Sequence, residues 1–123
     1  MTAPPVEPDP GDLDIRTVPG PDCCTITVSG EVDARSAPVL GDRLLEVLRR
    51  PDVTVVELDL RRVTFLGSPG LTALVVAHRS ALAAGRSLRM RCGATRAVRR
   101  PLEITGLSAV FTLVAEQPEE CGR

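Results

Sequence analysis

Ser68 stands between Gly67 and Pro69, with Gly70 following. Upstream, residues 53–60 are rich in β-formers; downstream, residues 71–84 are apolar and long enough for a helix. The pattern predicts a strand-to-helix turn with the serine hydroxyl at the mouth of the helix. The flanking glycines free the backbone there. Partial positive charge collects at a helix N-terminus, and anions are stabilised beside it. Two chemistries fit. A serine N-cap followed by proline at the first helical position is a favoured helix start, and the cap contributes about 1 kcal/mol. The same hydroxyl, presented where a dianion is welcome, suits phosphorylation. The local sequence leaves both open.

Few other residues invite chemistry. Asp33 and Asp59 could form a carboxylate pair, but no nucleophile, base or oxyanion donor accompanies them, so structural roles are expected. Asp33 suits a loop acid that caps the helix beginning near Ser36. His78, the only histidine, falls on the apolar stripe Leu71, Leu74, Val75 and Leu82, which predicts a half-buried or partner-facing side chain rather than a metal ligand. Thr72, one turn into the helix, offers a second hydroxyl to a partner. Cys23, Cys24, Cys92 and Cys121 contain no C-x-x-C spacing, so no zinc site is expected. They read as reduced thiols with one or two in the core. No catalytic residue, cofactor or metal is assigned.

The elements that must position Ser68 follow from periodicity. Residues 13–18 and 24–28 alternate and are separated by Pro19, Gly20, Pro21 and Asp22, predicting a hairpin. A helix starts near Ser36 with Pro38 in its first turn, carries Leu40, Leu44, Val47 and Leu48 as one stripe, and ends before Pro51. Residues 53–60 form a strand with valines on both faces, which predicts a central position. Arg61 and Arg62 are expected to turn the chain, and residues 63–66 to lead to Ser68. The second helix spans about 69–84 and stops at Gly85. Residues 87–92 alternate as a strand. Thr95 caps a short helix through about Thr105, which Pro101 should interrupt. Residues 109–114 hold a last strand. The order ββαβαβαβ predicts an α/β fold, a mixed sheet with helices packed on it.

Composition sets the limits. The chain has 123 residues, which argues for a single domain. Residues 1–11 hold four prolines and two acids and are expected to be a disordered tail; residues 117–123 are expected to be flexible too. No apolar run reaches the ~18 residues of a membrane span. The proline-rich, acidic N-terminus is the reverse of a secretory signal, so a cytoplasmic chain is expected. All fifteen basic residues are arginine, which with abundant alanine, proline and glycine points to a GC-rich bacterial genome. Residues 60–102 carry nine arginines and no acid, whereas residues 1–59 carry twelve acids and five arginines. This segregation either makes a basic face or interleaves on folding. With Phe65 and Phe111 the only aromatics, no stacking platform for nucleic acid exists.

Several landmarks then agree. Gly30, Glu31, Val32 and Asp33 follow a strand and precede a helix start at Ser36, Ala37, Pro38 and Leu40. Residues 55–60 lead to Val63, Thr64 and Phe65. Gly70 and Leu71 open the second helix, and residues 102–107 precede Phe111. In this order and spacing, over about residues 12–116, the chain resembles a STAS domain, the module of anti-sigma factor antagonists and sulphate transporter tails. The resemblance implies a non-enzymatic regulatory module that binds an anti-sigma factor carrying a GHKL-type kinase domain and so controls sigma-factor-dependent transcription. It further implies that Ser68 is the phosphoacceptor, that Asp33 is the acid beside it, and that Asp59 ends the central strand. The implied partner surface is Asp33, Gly67, Ser68, Pro69, Gly70 and Thr72, on a monomer or weak dimer that contacts neither nucleic acid nor membrane. The family usually reads Asp-Ser-Ser-Gly where this chain has Gly67, Ser68, Pro69 and Gly70, so the acid and one N–H donor are lost. That departure keeps a second reading in view, a STAS module of a transporter accessory or stress-signalling complex without phosphorylation. A third, a small nucleotide-binding domain, suffers from the absence of any P-loop lysine.

Overall fold

In the computed structural model, residues 13–93, 95–107 and 112–113 are described; the predicted tails at 1–11 and 117–123 lie outside them. The chain runs β1 (Asp14–Pro19), β2 (Cys23–Val32), α1 (Ala37–Leu48), β3 (Val55–Leu66), α2 (Ser68–Ala83), β4 (Ser87–Arg91), α3 (Arg96–Thr105) and β5 (Thr112–Leu113). This is the expected ββαβαβαβ order. The five strands form one sheet in sequential order β1-β2-β3-β4-β5, antiparallel only between β1 and β2. β3 is central, as its two-faced apolar pattern predicts.

One core joins the sheet to the helices. Cys24, Ile26 and Val28 of β2, Val56, Leu58 and Leu60 of β3, and Leu88 and Met90 of β4 alternate into it. Opposite them pack Leu40, Leu44 and Val47 of α1 and Leu71, Leu74, Ala77 and Ala81 of α2. Each large apolar side chain buried this way stabilises the fold by about 1.5–3 kcal/mol.

Five local expectations need correction. Arg61 and Arg62 do not turn the chain. β3 runs on through them to Leu66, and β2 continues to Val32 beside it. The β2–β3 register slips twice, between Thr27 and Ser29 and between Gly30 and Glu31, as β-bulges do. Asp59 steadies the first slip: its carboxylate accepts the Arg61 backbone N–H at 3.0 Å and the Arg61 guanidinium at 3.0 and 2.9 Å. Asp59 therefore lies within the strand rather than ending it. Pro101 sits inside α3 without interrupting it, because burial of Val98 and Leu102 on either side holds the helix. Leu82 is exposed; α2 buries Gly70, Leu71, Leu74, Ala77 and Ala81 instead. Finally, Cys24 and Cys92 are buried and outside any disulfide, but Cys23 is disulfide-bonded rather than a reduced thiol. Burial pushes the Cys24 thiol up and keeps it protonated.

Candidate functional site: the Ser68 turn and the groove beside it

The long β2–β3 pairing builds the site. Val32 lies opposite Leu66 at the far end of the register, and the Gly67 N–H donates to the Val32 carbonyl at 3.0 Å. Asp33 and Ser68 follow these two residues directly. The loop acid and the serine therefore leave the same end of the β2–β3 pair.

Gly67, not Ser68, is the N-cap of α2; its backbone is extended, and its carbonyl accepts the Leu71 N–H at 3.1 Å. Ser68 is the first helical residue and Pro69 the second. No side chain caps this helix, and Ser68 is exposed. The N-cap reading of Ser68 is thus off by one residue. Glycine suits the cap position, because the Phe65 ring lies about where a side chain on Gly67 would point. A Cβ on Gly67 would meet that ring at 3.1 Å. The first N–H groups of a helix have no intrahelical partner. Here Pro69 has none to offer, so Ser68 and Gly70 supply the donors that face an anion at this end.

Gly70 fixes the entry of the helix. A Cβ there would lie 2.5 Å from Val32 Cγ1 and 2.7 Å from Leu66 Cδ1, so only glycine lets α2 rest on the strand ends. Thr72 donates its hydroxyl to the Ser68 carbonyl at 3.1 Å and remains exposed.

Asp33 is a loop acid but does not cap α1, which has no side-chain cap; it ties the turn that precedes the helix. Its Oδ1 accepts the N–H groups of Arg35 and Ser36, each at 3.0 Å. Ser36 is buried and does not cap α1 itself: its hydroxyl donates to the Glu31 carbonyl at 2.8 Å and its oxygen accepts the Asp33 N–H at 3.0 Å. The Ser36 N–H and hydroxyl, with the N–H and charge of Arg35, hold the Asp33 carboxyl below the usual carboxylate range. It is a fixed negative charge at the strand end from which the serine turn also leaves.

Asp59 does not join Asp33. It sits on β3 opposite Thr27, seven residues before Leu66, which is about 23 Å along the strand. Burial raises its carboxyl, but the hydrogen bonds and charge of Arg61 outweigh this and hold it below the usual range. His78 is half-buried on α2.

Sequence reasoning missed two features. Phe65 is 49 % exposed beside the turn. And a groove of about 370 Å³ opens between α1 and α2, lined by Pro38, Gly41 and Asp42 on one side and Pro69, Ala73 and Val76 on the other. The exposure of Phe65 was visible as spacing, since it falls outside the β3 core positions; the groove residues recur at i, i+3, i+4 on each helix, but that they face one another is not in the spacing. The arginine-rich segment, by contrast, is partly spent on internal bonds. Arg91 pairs with Glu57 at 3.2 Å, both buried; Arg61 holds Asp59; Arg86 donates to the Leu48 carbonyl, and Arg99 to that of Gly93.

Among the described residues no group of three or more His, Cys, Asp or Glu could hold a metal ion, and no helix is long and apolar enough to cross a membrane. A family model described as Mlab, STAS domain, matches residues 15–115. The anti-sigma-B factor antagonist of Listeria monocytogenes is 35% identical over 88 residues, 72% of this chain and 75% of that protein. The crystal structure of an anti-sigma factor antagonist from Mycobacterium paratuberculosis superposes with a TM-score of 0.73 at 28% identity, covering 89% of this chain and 91% of the other. The Bacillus protein SpoIIAA, solved in unphosphorylated and phosphorylated forms, shares the fold with TM-scores of 0.70 and 0.65 at 16% and 15% identity, over 84% of this chain and 90% and 93% of the two SpoIIAA chains. The chain belongs to the STAS domain family, with the anti-sigma factor antagonists. Its role is regulatory.

Proposed function

We propose that this chain binds a kinase-bearing anti-sigma factor of GHKL type in the cytoplasm, and that phosphorylation of Ser68 ends the complex. The docking surface comprises the Asp33 loop, the Gly67–Gly70 turn and the first turns of α2. One observation carries the reading: Ser68 is exposed at the first position of α2 and has no capping duty. A structural serine would be spent on the helix; this one is available. That SpoIIAA has been solved in a phosphorylated form lends the reading support by shared fold.

The switch is electrostatic. A phosphoserine adds roughly −1.5 to −2 charges at neutral pH. In a packed interface that charge must be desolvated and paired, and Asp33 adds repulsion rather than pairing. A roughly hundredfold loss of affinity needs only about 2.7 kcal/mol, so no large conformational change is required.

Calorimetry with the GHKL anti-sigma factors encoded in the same genome tests this. Wild type and Ser68→Ala should bind, Ser68→Asp should not, and incubation with kinase and ATP should place one phosphate on Ser68 by mass spectrometry. Equal binding by all three and no phosphate would leave a constitutive STAS module, the reading that Gly67 and Pro69 favour by removing an acid and an N–H donor from the turn.

A further inference from the structure

The groove between α1 and α2 is built by two matching stripes. Pro38, Gly41, Asp42 and Leu45 recur on α1 at i, i+3, i+4, i+7; Pro69, Thr72, Ala73 and Val76 recur on α2 at the same spacing. These stripes are separate from the core faces, which use Leu40, Leu44 and Val47 on α1 and Leu71, Leu74 and Ala77 on α2. The floor is made of small residues that let the helices approach: a Cβ on Gly41 would sit 3.6 Å from the Ala73 Cβ. The walls are chiefly apolar, and Val76 is 45 % exposed. The only charged group lining the groove is Asp42, which is exposed and forms no ion pair among the described residues.

From this geometry we infer that the groove receives an amphipathic helix of the partner, with apolar side chains spaced three to four residues apart and an arginine or lysine set against Asp42. Two helices that each turn an i, i+3, i+4, i+7 stripe toward a common trough present a seat for the ridge of a third helix. The lone carboxylate on the wall selects a cation, and the absence of basic lining residues excludes an acidic segment by the same logic. Pro69 and Thr72 line the groove and also belong to the Ser68 turn, so the helix seat and the phosphorylation site form one continuous surface. The inference rests on the proposed binding of an anti-sigma factor and adds what part of it is bound and where. Selection of the partner then lies in the groove, and release lies at Ser68.

Calorimetry with the purified full-length chain and the GHKL anti-sigma factor of the same genome tests it, using Val76→Glu and Asp42→Arg. Both positions are exposed, so both variants should fold; circular dichroism checks this. Each should weaken binding about tenfold or more with Ser68 unmodified. The effect of Asp42→Arg should shrink as salt is raised, and that of Val76→Glu should persist less diminished. Wild-type binding with both variants within twofold of it overturns the groove but leaves the proposed function standing. Failure of the wild type to bind overturns both. Sedimentation of the chain alone showing a dimer that Val76→Glu dissociates would assign the groove to a second copy and overturn the inference.

Discussion

Gly67 donates its backbone N–H to the carbonyl of Val32 across 3.0 Å, and this single bond sets the distance between the two loops that matter. Asp33 leaves β2 one residue after Val32; Ser68 enters α2 one residue after Gly67. The loop acid, whose carboxylate is committed to the turn before α1, and the serine thus leave the same end of the β2–β3 pair.

Ser68→Ala should change stability by less than about 0.5 kcal/mol, because the hydroxyl is exposed and caps nothing. Urea unfolding measures this. A loss near 1 kcal/mol would restore the N-cap role to the serine and weaken its candidacy as an acceptor.

Gly70→Ala should destabilise by about 1–3 kcal/mol, since the new methyl would overlap Val32 Cγ1 and Leu66 Cδ1. The gain in helix propensity, about 1 kcal/mol, opposes this, so a net loss in denaturant midpoint reports the strand–helix contact directly.

Pro69→Ala gives the turn of α2 a third N–H that can face a phosphate. In the phosphorylated protein, the second phosphate ionisation should fall relative to wild type, because hydrogen bonds to the dianion favour it. A phosphorus NMR titration reads the shift; identical curves would mean that the phosphate does not point at the helix end.

Acid should strip stability through Asp33 and Asp59. Both carboxyls lie below their ordinary range in the folded chain. The stability they supply is present above the unfolded value, about 3.9, and is lost as pH falls through the folded value. Asp33→Asn and Asp59→Asn should each flatten the decline in unfolding free energy between about pH 5 and pH 2, with little change in the slope above it.

Arg91→Met alone should cost about 3–5 kcal/mol, because Glu57 is left buried and unpaired. The double variant Glu57→Leu with Arg91→Met should recover much of this. If the double variant is as unstable as the single one, the pair contributes more than mutual neutralisation. Thermal unfolding of the full cycle decides.

Most of this architecture was legible in the residues. The strand–helix order, the β1–β2 hairpin, the central place of β3 and the stop of α2 at Gly85 all follow from periodicity and turn chemistry. What failed did so for identifiable reasons. A bulge and a turn look alike in sequence, and Arg61–Arg62 is polar enough for either; only the Asp59 bonds show that the strand survives. The helix start at Ser68 slipped by one because serine and glycine are both good caps, and the choice is made by Phe65 and Gly70 packing. Pro101 was outvoted by Val98 and Leu102, whose burial a single-sequence propensity does not see. The groove was invisible because it depends on two helices lying side by side, which only the sheet order decides.

The overhang of the central strand has a final consequence. β4 pairs with β3 only as far as Asp59 and β1 with β2 only as far as Ser29, opposite Arg62, so beyond these the sheet narrows to the β2–β3 ribbon, and the serine is carried at the tip of this ribbon. What holds the tip is therefore side-chain burial rather than sheet neighbours: Val32, Val63 and Leu66 are sunk in the core, and α2 rests on two of them through Gly70, so the exposed serine stands on a firm base.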